Sequence, residues 1–414
     1  MEFKYLKEIR NLYETSPNLL EICFILGNNT CDMDSALSAY LLSIGKNIEK
    51  KTVILNESGK PSINLEAKKI YLPVLNIKRG SLPHRIDVKY IFDKFGIDDN
   101  DFWYISDEIF DQKNLFKYKN NENNIKTSII LVDHTILMEE ENYLSEYVTS
   151  IYDHHLLSNY NGQYKNLKKL NIQYPIGSCT TLILNEFFSN IDFPVEIVSP
   201  LLSLSAILLD TKKFSPDFYR NRWVDLDQKV YKKIKKLIEK DGNKNFKMKE
   251  YFKEIKDIKH NVELNLNLGI EPLIEKDQKV FNWSKKRAIW SSFPISFYDI
   301  KKRFGDKKIV SHYMDYYKGK GVDEQKDIFF ITNSTLDNKQ RLFTIFNPIK
   351  IPFTKEEIQK ELVNQSEKEF FSADIKNIVD ENEKPNGEVC HLILAETYSR
   401  KSLEPILKKF FSKL

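Results

Sequence analysis

The chain has 414 residues, enough for two or three domains of ordinary size, which excludes a single small module. Apolar residues make up 41%, charged residues 29% and aromatic residues 13%, so large cores can form and wholesale disorder is excluded. With 63 Lys and Arg against 59 Asp and Glu, the net charge of +4 nominates no polyanionic partner by itself.

The opening MEFKYLKEIRNLYE is charged throughout, and no stretch of about 18 residues is long and apolar enough to span a bilayer. A soluble, cytoplasmic protein without membrane contact is the expectation. Residues 21–26 form a short apolar run stopped by Gly27, and residues 33–44 follow with helical apolar spacing. Further strands are predicted at 52–55, 70–75, 102–105, 128–132 and 149–152, and apolar helices at 180–188 and 201–209. This alternation predicts an α/β fold over 1–225, a parallel sheet with helices on both faces whose ligands bind at the carboxyl ends of strands. Between 228 and 260 there are twelve lysines against five acids, and 226–260 is read as a lysine-rich helical linker. Residues 261–414 carry strand-like runs at 327–332, 341–346 and 388–395 and helices near 295–304 and 355–369, a smaller α+β domain. The four cysteines, Cys23, Cys31, Cys179 and Cys390, form no C-x-x-C pair and read as reduced packing thiols.

Four acidic or histidine clusters sit where predicted strands or apolar helices end. The first, 27–35, places Asp32 and Asp34 two residues apart in a turn before a helix, a pattern that usually marks an N-cap and sometimes a metal site. The second cluster, Asp133-His134, directly follows the strand signal at 128–132, and the third, Asp153-His154-His155, follows the one at 149–152. With 27 Asp and seven His, chance supplies only about 0.008 such triplets. Two consecutive histidines after an apolar strand cannot both enter one core, so one faces the strand-end crevice. Asp210 closes the apolar helix at 201–209, where its charge opposes the macrodipole unless a cation is near. Together Asp32, Asp34, Asp133, His154, His155 and Asp210 offer hard oxygen donors with imidazoles, a set suited to Mg²⁺, Mn²⁺ or Co²⁺. Two such ions can activate a water between them and neutralise a phosphoryl group, which makes phosphoester or phosphoanhydride hydrolysis the natural chemistry.

These residues, in this order and with Asn28 ahead of Asp32, resemble the DHH phosphoesterase superfamily. The resemblance is strongest to fungal cytosolic exopolyphosphatases, in the branch with Prune-type phosphatases and family II pyrophosphatases. Pro73-Val-Leu-Asn-Ile, Arg85-Ile-Asp-Val, Gly177-Ser-Cys-Thr-Thr and Ala206-Ile-Leu-Leu-Asp-Thr support it. Leu273-Ile-Glu-Lys-Asp-Gln-Lys is similar to the start of a DHHA2 domain, and Tyr398-Ser-Arg-Lys-Ser to its basic phosphate-binding motif, while residues 305–387 resemble the family weakly. The resemblance implies two divalent ions. It gives Asp32 to the first, Asp34, His154 and Asp210 to the second, and Asp133 to both, with Asp153 orienting the histidine pair and His155 contacting phosphate. It also implies an Arg400 and Lys401 phosphate clamp, whose guanidinium fork and point charge suit the task. Asn28 stands where many members have a metal-binding His and is expected as a ligand in its place, an amide that makes the site harder and favours Mg²⁺. His134 is similar to the Asp-His of pyrophosphatases and is assigned only as a catalytic candidate.

Ser178 precedes a predicted helix and could either cap it or help receive an anion. Arg85 could reach phosphate or pair with a surface acid. The lysine-rich segment could hold a polyanion, although a charge run is usually a solvated face. The function expected is a monomeric exopolyphosphatase acting on inorganic polyphosphate, with no nucleic acid bound. The alternatives are a pyrophosphatase, a Prune-type short-chain or nucleotide phosphatase, and a non-catalytic phosphate-binding scaffold.

Overall fold

A computed structural model describes residues 5–16, 19–55, 61–113, 115–116, 125–156, 160–190, 199–240, 242, 245–283, 286–305, 316, 323, 326–334, 340–347, 357–358, 360–362, 388–395 and 400–412. The chain divides into two units, Met1–Ile258 and Lys259–Leu414.

In the first unit the elements run α1 (Tyr5–Thr15), β1 (Glu21–Leu26), α2 (Met33–Glu49), β2 (Val53–Leu55), β3 (Pro61–Ile63), β4 (Lys69–Leu75), α3 (Ile86–Lys94), β5 (Trp103–Tyr104), β6 (Lys126–Val132), β7 (Val148–Asp153) and β8 (Lys169–Ile172). Four helices follow: α4 (Cys179–Ser189), α5 (Pro200–Asp210), α6 (Asp225–Lys240) and α7 (Met248–Lys259). Six strands form one sheet in the order β5-β4-β1-β6-β7-β8, every neighbour parallel. Helices flank it, which is why the central strand β1 reads as a continuous apolar run, with Ile22 to Leu26 all buried. The chain leaves β1 toward β4 and β5, then returns to place β6 on the other side of β1. That reversal opens a crevice beyond the carboxyl ends of β1 and β6, where open α/β sheets bind ligands.

Several expectations change. Residues 53–55 pair antiparallel with β3 in a separate two-stranded ribbon and do not join the parallel sheet. The lysine-rich segment is not a linker. It folds as α6 and α7, whose Val230, Ile234, Ile238, Tyr251 and Ile255 are buried in the first unit's core. The apolar residues recur at three- and four-residue spacing, and the lysines occupy the other face. The edge strand β8 carried no sequence signal because its alternate side chains stay partly exposed.

The second unit contains α8 (Val262–Leu266), α9 (Ile270–Glu275), β9 (Gln278–Trp283), β10 (Lys286–Ser296), α10 (Phe297–Phe304), β11 (Asp327–Ser334), β12 (Gln340–Asn347), β13 (Glu388–Ala395) and α11 (Arg400–Phe411). Its sheet runs β13-β12-β11-β10-β9, with β10 and β11 parallel and the other neighbours antiparallel. One core packs Trp283, Trp290, Phe330 and Phe343 with Leu403, Leu407 and Phe411 of α11. A second gathers Ile289, Phe329, Ile331 and Leu342 with Leu273, Ile274 and Ile300. The helix expected from 295 starts at Phe297 because Ser296, still in β10, caps it by accepting from the Asp299 backbone N–H. Of the helix expected at 355–369, residues 357, 358 and 360–362 are helical and the rest lies outside the described residues, as does most of 305–387. Cys23, Cys31 and Cys179 are buried free thiols, and the Cys390 side chain lies outside the described residues.

Candidate metal centre

The crevice between β1 and β6 is built from the turns that leave those strands. Gly27 ends β1 where a Cβ would come within 2.5 Å of Ser35 Oγ, and that hydroxyl accepts from the Asn28 backbone N–H at 2.6 Å. The Asn28 side chain then spans the crevice. Its Nδ2 donates to Asp133 Oδ2 at 2.7 Å, while its Oδ1 accepts from Thr30 N, Thr30 Oγ1 and Cys31 N at 3.0, 2.7 and 3.1 Å. With three donors on that oxygen and the nitrogen on Asp133, Asn28 works as a brace for Asp133. The metal-ligand role expected for it is corrected accordingly.

Asp133 follows β6 with φ 62°, the left-handed region that a non-glycine residue enters at a cost of about 1–3 kcal/mol. Its backbone N–H donates to Tyr152 O of β7 at 2.9 Å, and its carboxylate is buried, with 3% exposure. Burial pushes its pKa well above the usual carboxylate range, and the negative charges of Asp34 and Asp32 add to that. Its Oδ1 lies 3.2 Å from His154 Nε2 and 3.7 Å from His155 Nδ1, yet no hydrogen bond of good geometry satisfies it among the described residues.

The histidine pair leaves β7. Asp153 Oδ1 accepts from the backbone N–H groups of His154 and His155 at 2.7 and 3.2 Å and from His155 Nδ1 at 2.7 Å. Burial alone would raise the Asp153 pKa, but charge and hydrogen bonding from His155, reinforced by His154, hold it well below the usual range. His154 is buried and places Nδ1 2.9 Å from the Ile176 carbonyl. A carbonyl only accepts, so Nδ1 carries the proton, and a neutral ring therefore turns the Nε2 lone pair toward Asp133 Oδ1 and Asp34 Oδ2, the latter at 3.7 Å. Among the described residues, Asp133, Asp153, His154 and His155 each offer a donor atom, and these atoms lie within 4.8 Å of one another.

Asp34, in the first turn of α2, is buried against the start of α4. Its Oδ1 accepts from Ser178 Oγ at 2.6 Å and Thr180 N at 2.9 Å, and its Oδ2 from Cys179 N at 2.7 Å. The helix start does receive an anion, as the Gly-Ser-Cys-Thr-Thr sequence suggested, but the anion is the protein's own carboxylate. Ser178 is fully buried beneath Asp34, which corrects its assignment to substrate. Asp32 caps α2, its Oδ1 accepting from Ser35 N at 3.0 Å. Asp210 ends α5 partly buried and is not one of the four clustered groups. Arg85 is buried and donates through Nε to the Thr30 carbonyl at 2.9 Å, so it buttresses the Asp32 loop. His134 places Nδ1 3.0 Å from the Val132 carbonyl of its own strand.

In the second unit, Arg400 opens α11 and is committed to Asp277. Its Nη1 donates to the Asp277 carbonyl at 2.8 Å and its Nη2 pairs with Asp277 Oδ1. The expected phosphate clamp is, at Arg400, an internal ion pair. Lys401 lies in the same first turn, and its side chain is outside the described residues.

Sequence reading did not single out Thr30 and Ile176 as holders of the site. They act through backbone N–H and C=O groups or a small hydroxyl, which residue type alone does not advertise.

The parallel sheet, the crevice at its switch point and the Asp-His-His cluster agree with the DHH phosphoesterase superfamily, which the proteins that the chain is similar to support. No protein-family model matches it. It is 27% identical to exopolyphosphatase PRUNE1 of Homo sapiens over 267 residues, 64% of this chain and 51% of that protein. It is 26% identical to exopolyphosphatase PRUNE1 of Rattus norvegicus over 292 residues, 69% of this chain and 54% of that protein. The chain thus spans about half the length of the curated relatives it matches. Its fold is that of a Methanococcus jannaschii structure described as a family II inorganic pyrophosphatase, with TM-score 0.59, 19% identity and coverage of 94% of this chain and 98% of the other. Among the described residues, no helix is long and apolar enough to cross a membrane.

Proposed function

We propose that the chain is a metal-dependent hydrolase that removes terminal orthophosphate from inorganic polyphosphate. One observation carries the metal-dependent part. The Ile176 carbonyl fixes a proton on His154 Nδ1, so Nε2 confronts two carboxylate oxygens, one of them buried without a good hydrogen bond. Three electron-rich atoms converging in a buried pocket repel one another unless a cation or proton lies among them. The donor set fits a divalent cation, and Asp133, His154 and Asp34 would hold it, with Asp32 and Asp210 as further ligands and two ions as the full complement. When bound, such ions neutralise phosphoryl oxygens and acidify a water for in-line attack.

The chain's own groups supply the rest. Asn28 holds one oxygen of Asp133 and so aims the other at His154. Asp153 fixes the ring of His155, the most exposed member of the cluster, and His155 gives its proton to the departing phosphate oxygen. The oxygen-rich donor set, with no imidazole offered from position 28, supports Mg²⁺ over Mn²⁺ or Co²⁺. The polyphosphate substrate is supported by the names of the curated relatives and by Asn28, which resembles exopolyphosphatases at that position.

The test is orthophosphate release in Mg²⁺ from long-chain polyphosphate and from pyrophosphate in parallel. Turnover of the polymer that leaves pyrophosphate nearly untouched is expected. Turnover of pyrophosphate alone would overturn the substrate assignment and transfer the site to the pyrophosphatase reading.

A further inference from the structure

Both the Asp34 carboxylate and the His154 ring are held by one short stretch of backbone. Ile176 accepts from His154 Nδ1 through its carbonyl, and Ser178 donates its hydroxyl to Asp34, followed by the N–H groups of Cys179 and Thr180. Between those two points lies Gly177, and what fixes Gly177 therefore fixes both site residues. Its N–H donates to both carboxylate oxygens of Asp227, at 3.2 and 3.0 Å. Asp227, in the first turn of α6, is fully buried and also accepts from Thr181 Oγ1 at 2.7 Å and from Val224 N at 2.8 Å. A Cβ on Gly177 would meet the Arg222 carbonyl at 2.5 Å, Thr211 Cγ2 at 2.7 Å and Asp227 Oδ1 at 3.2 Å, so the stretch has no slack on that side. Thr211 is also the residue after Asp210, which brings the end of α5 to the same point.

We infer that Asp227 is a positioning residue for the metal centre: it clamps Gly177, and through the residues on either side it sets His154 and Asp34 3.7 Å apart. The inference rests on the metal-centre reading above but assigns a role to a residue outside the superfamily motifs. A carboxylate suits this post because it accepts several bonds and donates none. In Asp227→Asn, the amide NH₂ must face one of the N–H donors that now converge on the site, and the clamp opens. Partners of metal ligands, when removed, typically cost about 10- to 100-fold in metal affinity. Asp227 acts one step further out but on two ligands together, and a loss of about tenfold is expected on that scale.

The experiment is titration of the full chain with Mn²⁺ alone, followed by the paramagnetic resonance of the free ion, which needs no turnover. Wild type, Asp227→Asn, Thr181→Val and, as control, Asp225→Asn on the exposed side of the same turn are compared. Thermal unfolding in a chelator gives the metal-free stability of each. The expected result is Mn²⁺ affinity weakened about tenfold in Asp227→Asn and a few-fold in Thr181→Val, with Asp225→Asn equal to wild type. If Asp227→Asn does not fold, Thr181→Val, which removes a single bond to Asp227, is the decisive variant. Affinities within twofold of wild type in the folded variants would overturn the inference while leaving the metal centre standing. A wild-type chain that takes up no Mn²⁺ would overturn the metal-centre reading itself, and this inference with it.

Discussion

The crevice of the first unit and the sheet of the second treat charge in opposite ways. In the first, Asp34 and Asp133 are buried beside His154 with no arginine or lysine bonded to either among the described residues, and their bonds come from neutral donors: Asn28, Ser178 and backbone N–H groups. In the second, Arg400 is matched to Asp277, and Arg287 makes two bonds of 2.7 Å to the fully buried Asp327. Neutral donors orient a carboxylate without cancelling its charge, whereas a guanidinium does both. The first arrangement preserves negative potential for a cation, and the second spends its charges on holding a fold.

Removing the charge that the first unit preserves should have the largest effect. Asp133→Asn keeps the shape of the side chain but not its charge, and orthophosphate release from polyphosphate should fall by more than about 100-fold, beyond the range set by losing a ligand's partner. Metal addition should be visible in stability as well. At an ion concentration about 100 times its dissociation constant, the folded chain should gain about 2.7 kcal/mol over the chelated form, read by chemical unfolding, and Asp133→Asn should abolish the gain. Asn28→Ala leaves Asp133 charged but removes its brace, so metal affinity should drop by about 10- to 100-fold. Ser178→Ala removes one of two donors on Asp34 Oδ1 and should cost about 1 kcal/mol of unfolding free energy, with a weaker effect on metal uptake.

In the second unit the comparison predicts a stability effect with a definite pH signature. Burial works against ionisation of Asp277, but the Arg400 guanidinium prevails and lowers its pKa from the ordinary 3.8. A carboxyl depressed in the folded state contributes stability above its unfolded pKa and loses it as pH falls through the folded value. The deficit of Arg400→Ala relative to wild type should therefore be full above about pH 4 and shrink toward zero in stronger acid. Denaturation midpoints across that range check it. A constant deficit would mean that the pair is not what Arg400 contributes.

How far this could be read from the sequence depends on whether a residue acts through its own chemistry or through its neighbours. The parallel sheet was legible because β1, β4, β6 and β7 are apolar runs ended by polar turns, and the cluster was legible because Asp-His-His is rare. The polar edge strand β8 and the long β10, interrupted by Ser291 and Ser292, gave no clear period. The helices α6 and α7 were legible as helical, but their place in the first unit's core was hidden by their lysines, although Val230, Ile234 and Ile238 mark a buried stripe. Asn28 and Ser178 were placed in the right crevice but with the wrong task, because their partners Asp133 and Asp34 lie 105 and 144 residues away in sequence. Arg400 was read from a motif, and the motif does not show Asp277 waiting beside it.

The most direct test of the central claim, that the crevice between β1 and β6 is a divalent-metal centre, is the stoichiometry of Mn²⁺ bound by wild type and by Asp133→Asn at equal protein concentration. The account predicts uptake by wild type and its loss in the variant, with unchanged far-UV circular dichroism. Equal uptake by both proteins would place the metal elsewhere and contradict it.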